Sequence, residues 1–188
     1  MKISKHIAEH YKWGGEKMIR PVMKEDLPQI VPLMLSYIVD FYKRPNPGET
    51  AVRKLVQRLL AHPDHGIQFI AEEEGTILGF ATLYFTFSTL QVKRAAILND
   101  LFVHADARGR KIGGSLFKHC LQYIRDHSFA YMQWETAKDN HVAQALYNKM
   151  GGHVSAWFSL ALRAYFGGQP YSSVDFACLP LAAQDYAV

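Results

Sequence analysis

Val103-His104-Ala105-Asp106-Ala107-Arg108-Gly109-Arg110-Lys111-Ile112-Gly113-Gly114-Ser115-Leu116 decides the fold class of this chain. The stretch follows a strand-like run, Ile97-Leu98-Asn99-Asp100-Leu101-Phe102-Val103, and opens a helix. In that helix Ile112, Leu116, Phe117, Cys120, Leu121 and Ile124 share one face, at the spacing of an amphipathic helix. A strand, a basic glycine-bearing turn and a helix N-terminus make an anion cradle. The first helical turn offers free backbone N–H groups and the positive end of the macrodipole. Gly109, Gly113 and Gly114 let a phosphate approach without a Cβ in the way. The spacing is neither G-x-x-x-x-G-K-[ST] nor G-x-G-x-x-G, so P-loop and dinucleotide-fingerprint readings are excluded.

Further along, Met132-Gln133-Trp134-Glu135-Thr136 reads as a strand and Asp139–Met150 as a helix. Asp139 or Asn140 caps the helix, Val142, Leu146 and Met150 share a face, and Gly151-Gly152 ends it. With Arg108 and Gly113 at the ends of an [RQ]-x-x-G-x-[GA] loop and Lys111 in the place of its middle glycine, the chain resembles the GNAT N-acetyltransferases. The pattern W-x-T-x-x-x-N-x-x-A-x-x-x-Y-x-x-x-G over Trp134–Gly151 resembles the closing strand and helix of that family. Gly79–Phe87 and Asn99–Val103 resemble its polyamine (diamine, spermidine/spermine), thialysine and histone/polyamine acetyltransferase branch. The resemblance covers about residues 18–162, flanked by an N-terminal arm, 1–17, and a C-terminal extension, 163–188.

The predicted elements run β-α-α-β-β-β-α-β-α-β. Met18–Val22 is a first strand, and Asp26 caps a helix carrying Ile30, Leu33, Met34, Tyr37 and Phe41, with Pro32 kinking its first turns. Glu49–Ala61 is a second helix with Val52, Leu55, Val56, Leu59 and Leu60 inward. Gln68–Glu72 and Thr76–Phe87 form a hairpin about Glu73-Glu74-Gly75, and His153–Leu162 is a last strand. The fold class is therefore α/β, an α+β mixed sheet. The resemblance implies a twisted, mostly antiparallel sheet with helices on both faces.

Composition agrees. The chain has 188 residues, 49% hydrophobic and 13% aromatic, enough for one core. The net charge of +4 is spread without runs, so no nucleic-acid footprint is expected, and a mildly basic chain suits an anionic cofactor. No apolar run spans a bilayer and the start has no apolar signal core, so no membrane partner is expected and the plain expectation is a cytoplasmic protein. Cys120 and Cys178 imply no disulfide framework. His62 and His65 flank Pro63-Asp64 in a loop, but the nine histidines give no H-x-x-x-H spacing and the cysteines no C-x-x-C, so no metal site is expected. Tyr165, Phe166, Tyr171, Phe176 and Leu179 in the extension favour packing on the domain or across a homodimer.

The resemblance implies acetyl transfer from acetyl-CoA to the primary amine of a small molecule, a polyamine or an amino-acid-like amine. Protein lysine or aminoglycoside amines are the alternatives, and so is a non-catalytic acyl-CoA-binding module. It implies that Leu101, Phe102 and Val103 bond the pantetheine arm and the acyl carbonyl. Arg108, Gly109, Arg110, Lys111, Ile112, Gly113, Gly114 and Ser115 would hold the pyrophosphate, and Asn140 would contact the CoA arm. Tyr147 would be the general acid beside the sulfur. Asp40, Tyr42, Tyr84, Asn99 and Glu135 are candidates for the amine side. The polyamine enzymes carry a base glutamate where this chain has Asn99, which cannot take a proton. Strict strand alternation turns the neighbouring Asp100 to the opposite face. The base is therefore unassigned, with proton removal through ordered water.

Overall fold

The structure is a computed structural model and describes residues 11–12 and 17–152. The chain forms two compact units, Met1–Gln133 and Trp134–Val188. The expected strand at 153–162 and the extension 163–188 lie outside the described residues.

The first unit is built on a six-stranded sheet whose strands lie side by side in chain order. They are β1 (Tyr11–Lys12), β2 (Lys17–Pro21), β3 (Gly66–Glu73), β4 (Thr76–Ser88), β5 (Lys93–Val103) and β6 (Met132–Gln133). Successive pairs are antiparallel until β5 and β6, which run parallel. A parallel pair needs a crossover, and helix α3 (Ile112–Asp126) supplies it. Of the N-terminal arm, Tyr11–Lys12 form β1, which pairs with β2 through Tyr11 and Ile19, and Lys17 opens β2. The β3–β4 hairpin turns on Glu74 (φ 50°) and Gly75 (φ 76°). Two consecutive positive φ values are the signature of a tight turn that matches strand twist.

Period-2 alternation sends neighbouring residues to opposite faces of the sheet. Ile70, Phe80 and Phe102, aligned across β3–β5, pack with Ile30, Val31, Leu33 and Met34 of α1 (Leu27–Leu35) and Val52 and Val56 of α2 (Glu49–Ala61). On the other face the Phe69 ring meets His119 and Tyr123 of α3 at 4.6 and 5.4 Å. Helices thus cover both faces, as expected. Of the stripe read from the sequence, Ile112, Leu116, Phe117, Cys120 and Ile124 are buried and Leu121 is half-buried. In α2 only Val52, Val56 and Leu59 are buried. Leu55 and Leu60 are exposed, because they flank the i, i+4, i+7 line rather than lie on it.

Two features of the first helix differ from expectation. Asp26 does not cap α1 through its side chain. Its carboxylate takes two bonds from Arg20, at 2.7 and 2.8 Å, and one from the Met23 N–H at 2.7 Å, while Arg20 Nε reaches Glu72 at 2.9 Å. Burial alone would raise the Asp26 carboxyl, but these bonds outweigh it and hold the group below the usual range. A depressed carboxyl contributes stability above the unfolded pKa of about 3.9, and that contribution is lost as pH falls through the folded value. Asp26→Asn should therefore cost about 3 kcal/mol at pH 7 and much less at pH 3. Urea unfolding at both pH values is the check, and an equal loss at both would contradict the pairing.

The second difference lies beyond Pro32, which α1 accommodates in its interior. The helix gives way at Ser36–Phe41 to a wider π-helical turn, in which the Tyr42 N–H bonds the Tyr37 carbonyl at 3.1 Å. Tyr37 is thereby set on the sheet, with its ring 5.5 Å from Phe80 and 5.4 Å from Phe102.

Candidate functional site

The chain leaves β5 at Val103, makes a 3₁₀ turn at Ala105–Ala107 and enters α3. Gly109 (φ 78°) and Lys111 (φ 65°) are both left-handed. Lys111 therefore adopts the backbone that glycine would take most easily, at a cost of about 1–2 kcal/mol. It is the N-cap of α3 and no side chain caps the helix. The Ser115 N–H is bonded back to the Lys111 carbonyl at 3.1 Å, so the amides of Ile112, Gly113 and Gly114 precede the helical ladder and suit an anion. Among the described residues a Cβ on Gly113 would meet only Val103 Cγ2, at 3.6 Å, an ordinary contact. Arg110 pairs with Glu73 at the end of β3. Arg108 does not extend freely: its guanidinium lies over Phe41 and Phe102, at 5.5 and 5.8 Å, and Nε donates to the Val103 carbonyl at 3.2 Å.

Beside this cradle one edge of β5 is only partly paired among the described residues. β4 covers the other edge along its length, whereas β6 pairs only Met132 with Ala96 and Gln133 with Ile97. From Leu98 to Val103 that edge has no strand partner among the described residues. Leu101, Phe102 and Val103 thus carry backbone groups that an extended amide chain can bond.

Under the edge lies a polar cluster that strand alternation did not predict. Thr82 pairs with Asp100, and Leu83 pairs with Leu98, so Asn99 is an inserted, bulged residue. The bulge breaks the alternation, and Asn99 Nδ2 donates to Asp100 Oδ1 at 3.0 Å. The expectation of opposite faces for Asn99 and Asp100 is therefore corrected. Asp100 is 8% exposed, and its carboxylate also bonds Thr82 and Tyr37. Gln68 Nε2 donates to Thr82 Oγ1 at 3.0 Å and so extends the network into β3. Burial pushes the Asp100 carboxyl up, and the bonds from Thr82, Asn99 and Tyr37 only partly offset this. Burial, and then the Asp100 charge, raise the Tyr37 phenol and push Tyr84 up to about 12. Tyr42 meets Tyr37 edge-on at 4.9 Å. A buried carboxyl thus sits among phenols, and Asn99 Oδ1 is a buried acceptor with no partner among the described residues.

Of the amine-side candidates, Asn99 and Tyr84 join this cluster directly and Tyr42 through Tyr37. Asp40 lies exposed on the π turn. Glu135 is exposed and belongs to the second unit. Tyr37 is not among the candidates, and strand alternation sets Asp100 aside. The signal that marks them is the polar pair Asn99-Asp100 interrupting an apolar strand, opposite the buried Thr82 and Gln68.

The second unit is described through α4 (His141–Lys149). Asn140 Oδ1 accepts from the Ala143 N–H at 3.1 Å, so Asn140 is the helix cap. The far end closes with Gly151 (φ 83°) and the bonds Gly152 N–H to Tyr147 O, 2.9 Å, and Gly151 N–H to Asn148 O, 3.1 Å. This pair is the Schellman motif that a terminal glycine permits. The Tyr147 ring packs on Trp134 with centroids 5.3 Å apart. Val142 is exposed and no residue of α4 is buried, so the expected inward face is only partly formed by the half-buried Leu146 and Met150.

Residues 33–152 match a family model described as acetyltransferase (GNAT) family. The uncharacterized N-acetyltransferase YhfO of Bacillus subtilis (strain 168) is 35% identical over 133 residues, which are 71% of this chain and 87% of that protein. A crystal structure of a probable acetyltransferase is 30% identical with a TM-score of 0.71, covering 80% of this chain and 99% of its own. A predicted acetyltransferase from Clostridium acetobutylicum, solved with acetyl-CoA, is 17% identical with a TM-score of 0.65, covering 77% and 96%. That last likeness is one of fold. No described helix is long and apolar enough to cross a membrane.

Proposed function

The chain belongs to the acetyltransferase (GNAT) family, and from that premise we propose that it acetylates the primary amine of a small cationic molecule, a polyamine or an amino-acid-like amine. The family uses acetyl-CoA, and the residues fit it. Uncapped amides at the start of α3 suit its pyrophosphate, and the partly paired β5 edge suits its pantetheine amides. Bound there, acetyl-CoA supplies the thioester: the amine nitrogen bonds the carbonyl carbon, the carbon–sulfur bond breaks, and the sulfur leaves with a proton.

The observation that carries the amine side is Asp100, a buried carboxyl ringed by Tyr37, Tyr84 and Thr82. An alkylamine is protonated at neutral pH, with a pKa of about 10.4. It must lose that proton before it attacks. A carboxyl raised by burial is a better match for that task than an ordinary one. Asp100 takes the proton, and Asn99 Oδ1 accepts a remaining N–H or holds a water on the path. Tyr147 delivers a proton to the leaving sulfur and is reprotonated, through water, by the proton that the nitrogen sheds as the amide forms, a role that rests on its place in the sequence pattern shared with the polyamine branch. A non-catalytic acyl-CoA-binding role is the second reading, favoured by Asn99 in the place of a glutamate.

The test is CoA release from acetyl-CoA with spermidine, putrescine, lysine, an aminoglycoside and a lysine peptide, beside calorimetry of acetyl-CoA binding. Turnover with the small amines is expected. Gly113→Leu, whose first side-chain carbon the fold accommodates, should abolish binding and turnover together. Binding without turnover on any amine would favour the second reading. Turnover on the peptide alone would move the substrate to protein lysine. Wild-type affinity in Gly113→Leu would misplace the cradle.

A further inference from the structure

The turn between α2 and β3 reads His62-Pro63-Asp64-His65, and we propose that it binds a borderline-soft divalent cation, Zn²⁺ in the first instance. Each of His62, Asp64 and His65 is exposed and offers a ligand atom, and these atoms all lie within 4.8 Å of one another. The two imidazole rings lie nearly parallel, 16° apart with centroids at 5.0 Å, and His65 Nε2 is 3.7 Å from Asp64 Oδ2. Zinc bonds of about 2.0–2.1 Å put tetrahedral ligand atoms about 3.4 Å apart. Small rotations of exposed side chains close that difference.

The backbone that carries the ligands is held already. The His62 N–H bonds Arg58 O at 3.0 Å, the His65 N–H bonds His62 O at 3.0 Å, and the Phe85 N–H of β4 bonds His65 O at 2.9 Å. Binding therefore orders side chains and not the loop, which limits its entropic cost. Two neutral imidazoles and one carboxylate select zinc, nickel or copper over magnesium and calcium, which prefer all-oxygen shells. Three protein ligands leave one position to water. The nearby cation, Arg94, is directed at the Asp64 carbonyl at 3.5 Å and stacked on Phe85 and Phe129, so the carboxylate stays available.

The site stands apart from the acyl-transfer residues. It adjoins Gly66 at the start of β3, whereas Arg110 of the cradle meets Glu73 at the other end, about 23 Å along the strand. Helix-spaced motifs miss it because all three ligands fall within one turn.

The tag-free full-length chain, stripped with chelator, is titrated by calorimetry with ZnCl₂ and separately with MgCl₂. One Zn²⁺ per chain and no Mg²⁺ uptake are expected at this site. The double variant His62→Ala/His65→Ala should weaken Zn²⁺ binding by at least about 10–100-fold, and Asp64→Asn should weaken it less. Circular dichroism checks the fold of the variants, and His65→Gln repeats the test with a similar side-chain volume. No Zn²⁺ uptake, equal uptake of Mg²⁺, or wild-type affinity in the double variant overturns the proposal.

Discussion

Tyr147→Phe is expected to lower kcat by about 10²–10⁴-fold and leave the affinity for acetyl-CoA unchanged. The substitution removes one hydroxyl and keeps the ring. Packing against Trp134, at 5.3 Å between centroids, is therefore retained. The bond that closes α4 uses the Tyr147 backbone carbonyl, which the change does not touch. In the proposed role, what is lost is a proton donor for the departing thiolate, a group needed in the transition state and not for binding. Steady-state rates at saturating acetyl-CoA and amine, beside calorimetry of acetyl-CoA alone, separate the two quantities. A wild-type kcat would reduce Tyr147 to a ring that supports Trp134. A parallel loss of affinity would make it a cofactor contact.

The parts of this site that could be read from the sequence are those set by neighbours along the chain. The strand–turn–helix at Val103–Leu116 was legible because its glycines, its basic residues and the Ile112–Ile124 stripe are local signals. The structure adds that Lys111 takes the left-handed backbone of the glycine it stands in for. The end of α4 at Gly151-Gly152 and the hairpin at Glu74-Gly75 were legible for the same reason. The cluster around Asp100 was not. Its position depends on a bulge at Asn99, and that bulge is a property of how β4 and β5 pair, not of either strand alone. Alternation is the right rule for a regular ladder and fails at the one inserted residue. Tyr37 was read as an apolar-face residue of a continuous helix. The π turn that follows Pro32 carries it onto Phe80 and Phe102 and within reach of Asp100. Sequence periodicity assumes a uniform repeat of about 3.6 residues per turn and so carries no signal of the π turn.

Asp100→Asn should separate function from stability, because the two pull on this residue in opposite directions. Burial holds the carboxyl of Asp100 above its usual range. A carboxyl with a folded pKa above its unfolded value favours the fold most below the unfolded value, about 3.9, and that contribution is lost as pH rises through the folded value. Wherever it is ionised, the buried group is therefore a net cost to the fold. Asparagine cannot ionise and keeps a polar side chain for Thr82, Asn99 and Tyr37 to bond. Asp100→Asn should thus unfold at the same urea concentration as wild type, or a higher one. In the proposed role the same change removes the acceptor for the amine proton, so kcat/KM should fall by about 10²–10⁴-fold. The pH–rate profile is the more specific readout. Wild type should show activity rising through a carboxyl pKa above the ordinary range, and that limb should be absent in the variant. A variant with wild-type rates would mean that the proton leaves by another route. A variant that loses activity only in step with its stability would make Asp100 a structural anchor of the bulge, whereas full stability with the limb missing fits a base that is buried for its chemistry and not for the fold.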